Sequence, residues 1–138
     1  MSDAPIITGP KSVGVLNKED DGMVTLKVPG TDYQFKLVPK GETTSSNGEM
    51  ISGIISAQAE RVDVITAGGK FVEPVYGRPR RVQGMITGGD VAANVIIVNA
   101  GGAVVHAKLM DLQKAGDFMI GQNVSFDVKP GSTFELSK

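Results

Sequence analysis

The chain contains no cysteine and no tryptophan, and it has a single histidine. Without cysteine there is no disulfide and no thiolate metal centre. With His106 as the one imidazole, a zinc site would need mainly carboxylates, against that metal's preference for nitrogen and sulfur. Aromatic residues make up only 5% of the chain, two tyrosines and five phenylalanines. Binding of bases through stacking needs exposed rings, so this scarcity weighs against it. No charge sign dominates: 14 basic and 15 acidic residues leave a formal net charge of −1. A free-standing nucleic-acid binder more often carries a basic excess, because neutralising phosphates supplies much of its affinity. No apolar run approaches the roughly 20 residues of a membrane-spanning helix. Met1 to Pro5 show neither the basic nor the apolar region of a signal peptide. The expectation is a soluble, cytoplasmic protein without membrane contact.

What the chain has is glycine and apolar residues in an alternating order. Of its 138 residues, 18 are glycine and 41% are hydrophobic. That is enough apolar material for a core, and the glycines suit many tight turns. The length fits one compact domain or two very small fused barrels. A glycine followed by two apolar residues begins three stretches, at Gly14, Gly53 and Gly84. Each stretch continues as alternating strand, turn and strand. Glycine inside a strand normally costs stability. Its repetition predicts a shared backbone need: either a bulge where the strand bends to meet two neighbours, or a large side chain lying over the glycine.

Alternation with a period of two marks most strands. Val24, Leu26 and Val28 alternate with Thr25 and Lys27, then Tyr33, Phe35 and Leu37 with Gln34 and Lys36. Pro29 to Asp32 makes the turn between them. Val62 and Val64 precede a turn at 67–70 and a return strand at Phe71 and Val72, which Pro74 confines to an edge or a bulge. The unbroken run Val95 to Val98 predicts a strand covered on both faces. Val124, Phe126 and Val128 alternate near the end, and Phe134 and Leu136 close the chain. One short helix is predicted, capped by Asp111, with Leu112 and Ala115 inward and Gly116 at its end. The fold class is therefore all-β, one or more small closed or partly open barrels made of glycine-led hairpins. Three segments are expected: an arm over 1–11, hairpin units over 12–77, and a barrel unit over 78–138. The longest loop is polar and covers 39–49.

From Arg81 to Leu136 the order is three strands, a short helix, a strand and a short strand. With the stretch Ile120 to Val128 as entry to the fourth strand, this resembles the oligonucleotide/oligosaccharide-binding (OB) barrel, whose helix sits between its third and fourth strands. The resemblance implies an OB-like C-terminal half with a last strand, Thr133 to Leu136, shorter than such a barrel wants. The N-terminal half could supply the missing strand, form a second barrel, or pair with another copy of the protein.

The residues carry little catalytic chemistry. His106 shares a strand phase with Val104 and Lys108 and is expected at the surface. Glu19-Asp20-Asp21 is acidic but lacks the spaced oxygen ligands of a calcium loop. No serine stands in a nucleophile-elbow context. An enzyme is not expected, and neither is a cofactor or metal. The leading expectation is a structural or interaction protein that binds other proteins or copies of itself. The alternative is a single-stranded nucleic-acid binder. Its contact residues, or those of a protein partner, would be the run Arg78, Arg80 and Arg81, with Lys108, His106 and Tyr76.

Overall fold

A computed structural model describes residues 12–19, 21–41, 48–66 and 68–136. The expected arm at 1–11, Asp20 of the acidic run and the middle of the polar loop at 42–47 lie outside them. Among the described residues there are twelve strands and no α-helix, only a 3-10 turn at Ala115–Asp117. No helix among them is long and apolar enough to cross a membrane.

The first four strands are β1 (Ser12–Lys18), β2 (Val24–Lys27), β3 (Gln34–Lys40) and β4 (Met50–Gln58). β1, β2 and β3 form an antiparallel meander, and β4 returns to lie beside β1. That is a Greek key. Three short strands follow: β5 (Asp63–Ile65), β6 (Phe71–Glu73) and β7 (Tyr76–Gly77). The pattern then repeats. β8 (Arg81–Asp90), β9 (Val95–Asn99) and β10 (Val104–Lys108) form a second meander, and β11 (Asn123–Asp127) returns beside β8.

The last strand, β12 (Thr133–Leu136), does not finish the second key. It runs parallel to β3 and antiparallel to β4. It thus closes the first key into a five-stranded ring, β1-β2-β3-β12-β4. The exchange is reciprocal: β5, which follows β4, pairs with β11. At the crossing the Glu60 N–H donates to the Asp127 carbonyl, and the Lys129 N–H donates to the Gln58 carbonyl, each at 2.8–2.9 Å. The second key is flanked by β4, which runs parallel to β10, and its ends meet through a single bridge between Ala59 and Val128. The N-terminal half thus forms a ring together with β12 of the C-terminal half, while its own β4 lies beside β10 of the second key.

β4 is the shared element. One of its edges carries β1 up to Gly53 and then β10 from Ile55; the other carries β12. The gap where β1 ends and β10 begins is filled by the buried hydroxyl of Ser12. Its Oγ donates to the Val104 carbonyl and accepts from the Val104 N–H, both at 2.9 Å. Tyr33 makes a second tie between the halves. Its hydroxyl accepts from the Val72 N–H and donates to the Ala100 carbonyl, both at 3.1 Å.

The three repeated glycines all sit at partner changes. β1 passes from β4 to β2 around Gly14, and β8 from β11 to β9 around Gly84. A Cβ at Gly14 would overlap the Lys27 carbonyl, and one at Gly84 the Asn99 carbonyl. At Gly53 it would overlap the Phe134 ring and the Glu135 carbonyl. The need is close approach by a crossing neighbour, as barrel curvature demands.

Several expectations are corrected. The stretch from Met50 to Tyr76 is not a hairpin unit: β5 pairs with β11 and β6 with β8. The stretch begun by Gly84 turns only at 91–94, because β8 runs on through a bulge between Ile86 and Gly88. No helix forms after Asp111, and Leu112 is 89% exposed. Side chains organise that stretch instead. The Asn94 carboxamide donates to the Gln113 carbonyl and accepts from the Ala115 N–H, while Gln113 binds both the N–H and the carbonyl of Val62. These bonds take up backbone groups that a helix would have used. Tyr33, Phe35, Phe126 and Phe134 are core, and all four of Val95 to Val98 are buried.

Candidate functional site

The six candidate contact residues do not converge. His106 is 3% exposed, so its expected place at the surface is corrected. β10 lies between β9 and β4 and both of its faces are covered, which leaves no wet phase for the imidazole. Lys108 is exposed, but its Nζ donates to the Ala93 carbonyl at 2.6 Å. It lines a hollow with Gln58 and Lys129. Arg81 stands opposite Asp127 on the paired strand. Its guanidinium holds Asp127 Oδ1 and Ser125 Oγ, both at 2.7 Å. Arg80 and Arg81 line a separate hollow with Glu73, Pro74 and Val75. The carboxylates of Glu73 and Asp127 there offset the two cations.

Tyr76 and Arg78 each join residues that the sequence did not single out, around two separate hollows. Adjacent strands place Met50, Val15, Lys27, Gln34 and Tyr76 in one row across β4, β1, β2, β3 and β7. Cross-strand partners share a face, and this row faces outward around a hollow of about 290 Å³. Tyr76 is 64% exposed at one end of the row. The next row brings Asn17, Thr25 and Lys36 together. Arg78 reaches this row from beyond β7, resting on the Met23 sulfur at 3.6 Å and lining a smaller hollow with Lys36. Lys36 is ion-paired with Asp21. The Lys36 hydrogen bond, and after it that of the Met23 N–H, holds the Asp21 carboxyl below its ordinary value.

A second exposed group lies on the other Greek key. Val91, Phe118 and Ile120 rim a hollow of about 220 Å³ floored by Ile86 and Ile96. Met119 and Ile120 stand out at the tip of a turn, 67% and 74% exposed. Bonds on both sides fix this turn. The Met119 N–H donates to Gln122 Oε1 at 2.8 Å, the Gly121 N–H to the Ile86 carbonyl at 2.8 Å, and the Ile86 N–H to the Gln122 carbonyl at 2.9 Å. Apart from Tyr76 and Arg78, both groups escaped sequence reading, each for its own reason. Lys27, Gln34 and Lys36 read as the wet phase of ordinary strands, and Phe118 to Ile120 has no period at all.

Among the described residues no group of three or more histidine, aspartate or glutamate side chains is placed to hold a metal ion. No protein-family model, curated protein or solved structure matches this chain.

Proposed function

We propose that this chain is a non-enzymatic β-barrel module that works through protein–protein contacts, by self-association or as a structural part of an assembly. The observation that carries this reading is the exposure of large apolar side chains on both Greek keys: Met50 and Tyr76 line one hollow, Val91 and Ile120 line another, and Met119 stands out beside the second. Contiguous exposed apolar surface is a mark of interaction sites, whereas single exposed residues need no explanation. A five-stranded Greek-key ring is also the architecture of the OB barrel, a scaffold whose activity lies in the surfaces grafted onto it. The supporting ring is the N-terminal one completed by β12. The free strand edges are those of short elements, so strand addition is a lesser route to a partner than the two apolar groups. Light scattering over a concentration series, with chemical cross-linking of the full chain in its native extract, tests the reading. Mass above that of a monomer in either measurement is expected. A monomer throughout, with no cross-linked species, overturns it.

Tyr76 and Arg78 beside Lys27 and Lys36 favour a second reading, a single-stranded nucleic-acid binder. An aromatic ring next to cations is the arrangement such binding uses. Salt-sensitive fluorescence anisotropy of a short oligonucleotide, lost on Tyr76→Ala with Arg78→Ala, is the expected signature. No change in anisotropy at low salt removes this reading.

A further inference from the structure

We infer that the hollow between Lys36, Arg78 and the Gly131–Ser132 turn binds a single oxyanion of the phosphate class. The inference stands apart from the self-association reading. The hollow measures about 130 Å³; its polar lining is Lys36, Arg78, Gly131 and Ser132, and the rest is apolar. That is well below the roughly 300 Å³ at which sites for drug-sized ligands begin, and equals about four waters at roughly 30 Å³ each. It suits one small group. Ser132 points to the chemistry. It is 6% exposed, and its buried hydroxyl has no hydrogen-bond partner among the described residues. A buried polar group without a partner is rare and costly. The Ser132 carbonyl accepts from the Val38 N–H at 2.9 Å, which fixes the residue against β3. The N–H groups of Gly131 and Ser132 donate to no other described residue.

Charge selects the ligand. Two cations line the hollow and no carboxylate does. Arg78 is exposed, rests on the Met23 sulfur and forms no ion pair with a described carboxylate. Lys36 is shared with Asp21, which lies outside the lining. Glu19, exposed on the same hairpin as Met23, also lies outside it and holds neither cation. The guanidinium, the ammonium, the hydroxyl and the two N–H groups can all donate. Such a set matches a ligand that accepts through several oxygens and carries negative charge, as a phosphate or sulfate does. A neutral sugar answers only the hydrogen bonds, and an amine answers neither the bonds nor the charge. The source is a free ion or one phosphate of a larger molecule, whose remainder would lie outside so small a hollow.

Inorganic phosphate titrated into the full chain, against sodium chloride of equal ionic strength, tests this. The amide NMR signals of Gly131 and Ser132 should shift to saturation, and the melting temperature should rise with phosphate. Ser132→Ala removes a hydroxyl that has no partner within the fold. Its melting temperature without phosphate should therefore not fall, while its phosphate affinity should drop about tenfold. Arg78→Gln should weaken binding by a similar factor. Asp21→Asn, which releases Lys36, should tighten it. A short oligonucleotide that displaces the phosphate assigns the source to a nucleic-acid backbone; one that does not displace it assigns the source to a free ion. Shifts that chloride reproduces, shifts that never saturate, or binding unchanged in both Ser132→Ala and Arg78→Gln overturn the inference. So does a loss of stability in Ser132→Ala without phosphate, because the hydroxyl would then have a partner within the fold. A chain that stays monomeric leaves the inference standing.

Discussion

The two Greek keys share a strand order and differ in how they close. The first gains β12 between β3 and β4, with ladder pairing on both sides. The second has β4 beside β10 and meets its own fourth strand through one bridge at Ala59 and Val128. The difference arises because each key gives its following strand to the other. β12 finds an open slot beside β3. β5 finds the edge of β10 already held by β4 and stays on the outside of β11. The first key is thus completed by the chain's last strand, and the second by the first key's own return strand. Neither closes with the strands that follow it in sequence, which makes the two mutually dependent.

Closure of the first key depends most on Phe134, fully buried against Gly53. Phe134→Ala should cost about 3–5 kcal/mol, as large-to-small aromatic core changes do. Phe126→Ala, equally buried in the second key, should cost a similar amount. Because the keys share β4, denaturant unfolding followed by circular dichroism should stay a single transition in both variants. A two-step transition for Phe134→Ala alone would show that the second key stands without the first.

The glycines sharpen the comparison next. Gly14→Ala and Gly84→Ala set a methyl against backbone, which cannot rotate away. Each should cost about 1–3 kcal/mol or more, as overpacking does. Gly116→Ala meets only the Val91 side chain, at 3.8 Å, and should stay within about 0.5 kcal/mol of the parent. Unequal losses at Gly14 and Gly84 in thermal melts would mean that the two keys do not bend alike.

The ties between the keys come third. Ser12→Ala leaves the Val104 N–H and carbonyl without a partner, and Tyr33→Phe does the same to Val72 and Ala100. Each should cost about 1–3 kcal/mol. Amide hydrogen exchange at Val104 and Val72 would report which tie has opened.

The smallest effect is electrostatic and belongs to the first key. The Asp21 carboxyl is held below its ordinary value by Lys36. Its contribution is therefore complete above the unfolded value and is lost as pH falls through the folded one, in acid below about pH 4. The pair lies at the surface, so Lys36→Met should only flatten a shallow acid slope in a melting-temperature profile. An unchanged slope would assign the acid sensitivity to other carboxylates.

Much of the fold was legible as burial on strand faces. Tyr33, Phe35 and Leu37, then Val124, Phe126 and Val128, alternate in sequence and are buried as that alternation predicts. The run Val95 to Val98 reads correctly as covered on both faces. His106 did not, because its strand is also covered on both faces while its sequence alternates in the manner of a half-exposed strand. Leu112 missed for a different reason: the Asn94 and Gln113 side chains replace the helix that would have turned it inward. The candidate surface was barely legible. Arg78, Arg80 and Arg81 stand close in sequence, yet Arg78 rests on Met23 while Arg81 is bound to Asp127.

The sequence by itself determined most of the strands and their inward faces, and the places where glycine is required. Those follow from side-chain phase and from backbone conformations that act over a few residues. Only the tertiary structure decided which edges meet: β12 with β3 and β4, β5 with β11, and Tyr76 beside Gln34 and Lys27. Edge pairing is made by backbone N–H and carbonyl groups that every residue carries. It is therefore decided by which complementary edge remains open when the chain folds, and the identity of the side chains says little about it.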